Sequence, residues 1–132
     1  MPHWGEEYHK IHTQNQQDAA HLWIDAGADM VIGSHPHVIE DAELYQGVPI
    51  IYSLGNFLFD QVFSQSVQQG LLVAGKFTPD GLEFFALPTQ SIDFAPRLMK
   101  GDSKKQILDL LYIPFKDYIQ DTPAGKMVII KK

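Results

Sequence analysis

The chain has 132 residues, 45% of them hydrophobic and 20% charged, with a formal charge of -6; this is the composition of one soluble globular domain. Its ten Lys and Arg are scattered, so there is no basic patch to hold a nucleic-acid backbone. Absence of cysteine excludes disulfides and thiolate metal sites, and no apolar run approaches the ~20 residues that span a bilayer.

The N-terminus, Met1-Pro-His-Trp-Gly-Glu-Glu7, has neither the charged nor the apolar region of a signal peptide, and reads as the middle of a domain. The first element is a helix over Thr13 to Ala26. Thr13 and Gln16 form a capping-box pair, Gly27 stops the helix, and Ala19, Leu22, Trp23 and Ala26 fall on one face. Asp29 to Gly33 reads as a short strand buried on both faces. A helix, a glycine, a buried strand and a polar loop form an α/β pattern, in which the functional loop leaves the strand's carboxyl end. That loop is Ser34-His-Pro-His37.

Two strands follow, Val38 to Tyr45 and Val48 to Leu54, joined by Gln46-Gly47. Pro49, lacking a ladder donor, belongs near a strand start or on an edge. A second hairpin pairs Gly70–Thr78 with Leu82–Leu87 across Pro79-Asp80-Gly81. A helix runs from Ser103 to Leu111 with Ser103 and Gln106 as a capping box, and Met127 to Ile130 forms a last strand. The segment Ile92 to Asp102 carries no clear signal.

The chemistry lies in six histidines. Proline disfavours the helical region for the residue before it, so His35 is expected to be extended, with His35 and His37 side by side. Parallel imidazoles are able to share one metal or to reach two metals ~3.5–4 Å apart. An arbitrary His-x-His is usually a solvated loop pair; its place after a buried strand is what favours ligation. His3 opens His3-Trp-Gly-Glu-Glu-Tyr8, where Trp4 beside Gly5 points to a packed turn. Glu7 is either an acceptor that orients a histidine or a solvated charge. Asn56 and Asp60, around the aromatic run Phe57-Leu-Phe59, are either turn formers or the rim of the site. His9, His12 and His21 read as solvated surface residues. No glycine-rich phosphate loop, Gly-x-Ser-x-Gly elbow or cysteine nucleophile is present.

Three strings in order, His3-Trp-Gly-x-Glu-Tyr8, Asp25-Ala-Gly-Ala-Asp-Met-Val-Ile-Gly-Ser-His-Pro-His-Val38 and Gly47-Val-Pro-Ile-Ile-Tyr-Ser-Leu-Gly-Asn-Phe-Leu-Phe-Asp-Gln61, resemble the hallmarks of the CapA (PGA_cap) family. They cover roughly the first half of the chain; beyond Gly70 only the general layout is similar. The family is similar to calcineurin-like metallophosphatases. That implies an α/β (α+β) fold, part of a β-sandwich flanked by helices, and a two-metal site with His3 and His35 on one ion and His37 facing the other. The implied ions are divalent: manganese, iron or zinc. Ser34 stands where the wider superfamily has glycine, and the Asp-x-His, Gly-Asp-x-x-Asp and Gly-Asn-His motifs of that superfamily are missing.

The chain is therefore expected to be the C-terminal part of a single CapA-type domain spanning 1–132, with the N-terminal half absent. The isolated chain should bind one divalent ion weakly or none, and be inactive alone. The implied role is in making or exporting poly-γ-glutamate capsule; the alternative is a metal-dependent phosphoesterase or other hydrolase when complete. Expected partners are the missing half, another copy of the chain, and the polyanionic polymer or its synthesis machinery. The family leans towards the cell envelope, with no signal or anchor in this sequence.

Overall fold

The computed structural model describes residues 1–123 and 125–131. Its layers follow from residue alternation in one short strand. Helix α1, Gln14–Asp25, precedes a three-stranded sheet of β1 (Val31–Ile32), β2 (Ala42–Tyr45) and β3 (Val48–Ile51), ordered β1-β3-β2. β3 runs parallel to β1 and antiparallel to β2. Successive strand residues face opposite sides. Ile50 packs with Ala20, Ile24, Val31 and Tyr52 under α1, whereas Ile51 joins Leu71, Leu82, Phe84 and Val128 on the other side.

That other side is a five-stranded antiparallel sheet. β4 (Gln69–Thr78), β5 (Gly81–Ile92), β8 (Gly125–Lys131) and β7 (Ile119–Thr122) lie in that order, with β6 (Ala95–Leu98) also paired to β5. Helix α2, Gly101–Leu111, and the 3-10 turn Ile113–Tyr118 close the core, where the Phe84 and Phe115 rings meet edge to face at 5.5 Å. The result is an α+β fold of two packed sheets with a helix outside. No helix among the described residues is long and apolar enough to cross a membrane.

Both hairpins form, the second with a turn one residue shorter than expected, because Gly81 begins β5. Thr78 pairs with Gly81, and Gln46 and Gly47, with φ of 49° and 78°, make the two-residue turn between β2 and β3. Pro49 is the second residue of β3, which is the central strand. It is tolerated because β1 pairs only from Ile50 onward, so no ladder bond is lost at Pro49.

Several local expectations change: the strands expected over Val38–Tyr45 and Val48–Leu54 extend only over Ala42–Tyr45 and Val48–Ile51. The buried face of α1 is Gln16, Ala20 and Ile24, while Leu22 is 67% exposed and Trp23 40%. Hydrophobicity picks the wrong face because Gln16, bonded to the buried Glu40, occupies the true one. α2 starts at Gly101, two residues early, and Lys100 at its cap makes no side-chain bond; Ser103 lies inside the first turn, where it cannot cap. The segment after Ile92 forms β6.

Candidate functional site: a histidine cluster after the first strand

The site is assembled by two stretches that run side by side. His3 pairs with Ser34 as a parallel bridge: Trp4 N–H donates to Ser34 O at 2.9 Å and Ser34 N–H to Pro2 O at 3.1 Å. Trp4 Nε1 donates to Tyr52 O at 2.9 Å, a bond that needs Gly33, since a Cβ there would collide with both groups. Tyr8 N–H donates to Pro36 O at 2.7 Å. Residues 3–8 are thus laced onto the loop that leaves β1, and His3 meets His35 although the two are 32 positions apart in sequence.

The expected extended backbone at His35 is not what forms. His35 has φ of 111° and His37 of 60°, both in the region that side chains rarely adopt. Such strain costs on the order of 1–3 kcal/mol per residue and persists only where surrounding structure imposes it. Here the imposing contacts are the Tyr8–Pro36 bond and the burial of Pro36. The imidazoles still gather: ring centroids of His3 and His35 are 4.6 Å apart, and those of His35 and His37 are 5.9 Å apart.

Hydrogen bonding sets which nitrogen of each ring is free. Buried Asn56 uses its amide Nδ2 to donate to Val67 O at 2.9 Å and His37 O at 3.2 Å. Its Oδ1 therefore faces His37 Nδ1 at 3.0 Å and accepts a hydrogen bond from its N–H. His37 Nε2 is left with a lone pair. Ser34 Oγ donates to Pro2 O at 3.3 Å, so it accepts from His3 Nδ1, also 3.3 Å away. His3 Nε2 likewise keeps a lone pair, directed at His35 Nδ1 3.1 Å away. Two nitrogens that bind one ion at ~2.0–2.1 Å stand about 3.0–3.4 Å apart, so the His3–His35 pair fits a shared cation. Anchoring one ring nitrogen while freeing the other is how metal-binding histidines are held.

Glu7 also faces this cluster. One ligand atom each from Glu7, His35 and His37 lies within 4.8 Å of the others, with Glu7 Oε1 4.0 Å from His37 Nε2. Asp60 is exposed and is not part of that group. Phe59 packs 5.0 Å from His37, and Tyr8 stacks at 6.0 Å, held by Gln61, whose amide donates to the Tyr8 hydroxyl at 3.2 Å. Sequence reasoning left Tyr8, and Ser34 as the acceptor for His3, without a role. Ser34 was legible only as a neighbour of His35.

The other histidines lie elsewhere. His9 is exposed, 3.6 Å from Glu6. His12 and His21 are not the solvated residues that the sequence predicts. His12 Nδ1 donates to Asp41 at 3.0 Å and its ring stacks on Tyr52 at 3.9 Å. His21 Nε2 donates to Glu43 at 2.8 Å and its ring stacks on Tyr45 at 3.7 Å. Burial pushes Glu43 up, but bonds from Tyr52, Gln17 and His21 outweigh it and hold its carboxyl below the usual range. Burial also raises Tyr52, helped by its 2.6 Å bond to Glu43. Nearby, Gln16 Nε2 donates to Glu40 Oε2 at 2.8 Å, and burial lifts the Glu40 carboxyl to about 7. A cavity of about 520 Å³ between Ile39 and α2 is lined by Glu40 and Asp41 and by none of the clustered histidines.

An α+β domain that gathers three histidines and a carboxylate at the end of a buried strand defines a candidate cation-binding protein. Residues 1–61 match the family described as "Bacterial capsule synthesis protein PGA_cap". Over those residues the chain carries the sequence signature of that family. It is 40% identical over 105 residues to the PGA biosynthesis protein CapA of Bacillus subtilis (strain 168), covering 79% of this chain and 27% of that protein. It is 43% identical over 70 residues to the capsule biosynthesis protein CapA of Bacillus anthracis, covering 53% and 17%. A probable polyglutamine synthesis accessory protein of Mycobacterium tuberculosis (strain CDC 1551 / Oshkosh) is 38% identical over 58 residues, covering 44% and 15%. The chain thus spans about a quarter or less of these relatives. A 105-residue match also carries the likeness past Gly70, further than the three hallmark strings reach.

Proposed function

We propose that this chain contributes to making or exporting a poly-γ-glutamate capsule polymer, and that it does so through a divalent-cation centre built on His3, His35 and His37. The observation that supports this most is the pair of histidines, His3 and His37, whose Nδ1–H groups donate to neutral oxygens so that each Nε2 carries a lone pair. Manganese, iron and zinc all suit imidazole and carboxylate donors. Such an ion would supply charge to polarise or hold an anionic oxygen; the chain's own part is to fix the imidazoles and wall the cluster with Tyr8 and Phe59.

The metallophosphatase-like hydrolase is the second reading. It is favoured by the openness of the cluster, since His3 is exposed and Glu7 half-exposed, leaving room for a substrate. It would need further ligands, proposed to come from segments of the family that this chain does not match or from a second copy. The proposed wider partners are the polyanionic polymer and the machinery that makes it.

The test is genetic and chemical together. A Bacillus subtilis strain lacking its own CapA receives a CapA in which this chain replaces the matching segment. Polymer output should return, and should disappear when His35→Ala and His37→Ala are introduced, with protein level unchanged. Full polymer output from the double variant would remove the histidine centre from the function.

A further inference from the structure

We infer that Glu7 is a direct ligand, and that Glu7, His35 and His37 of this one chain hold a single divalent cation. The inference rests on the proposed histidine centre and adds a carboxylate to it.

The argument starts from lone pairs. His37 Nδ1–H donates to Asn56 Oδ1, so the nitrogen that faces Glu7 is an acceptor. Glu7 Oε1 is an acceptor as well. At 4.0 Å the two atoms are too far apart for a hydrogen bond. The arrangement is stable when a cation lies between the two. Ligand atoms at ~2.0–2.2 Å from one ion are about 3–4 Å apart, so the observed spacing needs only a small side-chain adjustment. Glu7 is half-exposed and free to make it.

The backbone aims Glu7 at this position. Tyr8 takes φ of 66°, costly for a bulky residue, and offsets that cost with its 2.7 Å bond to Pro36 and its stacking on His37. That turn brings the preceding residue over the His35–His37 loop. Two imidazoles and one carboxylate are a recognised ligand set for a divalent ion and leave its remaining positions open. The carboxylate also offsets charge that imidazoles alone leave uncompensated. His3, bonded to His35 and outside the Glu7 group, is then free to hold His35 in place or to join the same ion.

The test is a calorimetric titration of the 132-residue chain with zinc and with manganese, alongside nitrogen NMR of the histidine rings. Wild type should bind one equivalent, with the His37 Nε2 resonance shifting. Glu7→Gln should bind at least tenfold more weakly, in line with the loss of a ligand contact, and Glu7→Asp should recover part of that. Glu7 is exposed, so unfolding midpoints of both variants should match wild type. His35→Ala and His37→Ala should abolish binding. If Glu7→Gln binds as wild type does while the histidine variants do not, Glu7 is no ligand and the histidine centre survives. If wild type binds nothing, or binding ignores His35 and His37, both fail together.

Discussion

Two regions of this molecule are built from the same side chains and do opposite things with them. Under α1, each imidazole has a carboxylate and a ring: His12 has Asp41 and Tyr52, His21 has Glu43 and Tyr45. Both imidazoles there donate to a carboxylate and are partly buried, so those pairs are finished as they stand. After β1, the imidazoles are anchored by the neutral oxygens of Ser34 and Asn56, and their free nitrogens point at each other or at a carboxylate. That is the arrangement the proposed cation would complete. The lesson is that a histidine's role is set by what its second nitrogen faces, not by whether a carboxylate is near. Variants in the first region should lower stability and leave cation binding alone; variants in the second should weaken or abolish cation binding without lowering stability.

The largest expected effect lies in the first region. Glu40 is 2% exposed, and its Oε1 has no hydrogen-bond partner among the described residues. Burial, reinforced by the neighbouring Asp41 charge, lifts its carboxyl from the usual 4.5 to about 7 despite the Gln16 bond. Between those values the folded chain holds a proton that the unfolded chain has released. Stability conferred by that proton is present below 4.5 and is lost as pH rises towards 7. At about 1.36 kcal/mol per pH unit across that window, the loss amounts to at most about 3 kcal/mol. Glu43 acts in the opposite sense and lower down: its depressed carboxyl stabilises above the usual carboxylate range and loses this as pH falls. Urea unfolding from about pH 4 to pH 8 should show the fall in wild type and a flatter curve in Glu40→Gln. An unchanged slope in that variant would mean that some other group carries the proton.

Next in size is His12→Ala. It removes a bond to the Asp41 carboxylate and the stacking on Tyr52, and should cost about 2 kcal/mol. Zinc affinity should stay within about twofold of wild type, because His12 contributes no atom to the cluster. A large loss of affinity would show that the two regions are coupled through residues 3–13, and they would no longer be separable.

How much of this contrast was legible in the sequence depends on how local the cause is. Thr13 and Gln16 form their capping box because it is settled within four residues, and the Thr78–Gly81 hairpin follows from its turn. The strand-then-loop pattern placed His35 and His37. What escaped was decided by distant partners. Gln16 turned out to be buried because Glu40, 24 residues away, needs it, and this rotated the apparent face of α1. His12 and His21 looked like surface because Asp41, Glu43 and the tyrosines that cover them come from other segments. Asn56 was placed at the rim, but its role in fixing the His37 tautomer depends on Val67 O holding the amide the right way round. The positive φ at His35 escaped as well, because proline's local preference was overridden by the clamp that residues 3–8 place on the loop.

That override gives the smallest predicted stability effect and the one that separates the two regions most cleanly. His35 sits at φ of 111°, a conformation that glycine adopts without steric cost. Relief of strain of roughly 1–3 kcal/mol is set against ~0.5–1 kcal/mol of extra chain entropy in the unfolded state. His35→Gly should therefore be more stable than wild type by about 1 kcal/mol in urea unfolding, while losing cation binding altogether. The His3 ring loses a neighbour, but it is exposed and its bond to Ser34 remains. No variant under α1 should gain stability by losing a histidine, since those rings sit in satisfied pairs. A His35→Gly chain that unfolds more readily than wild type would show that the imidazole holds the loop together and is not strained by it. The loop after β1 would then belong with the finished region, and its histidines would be structural.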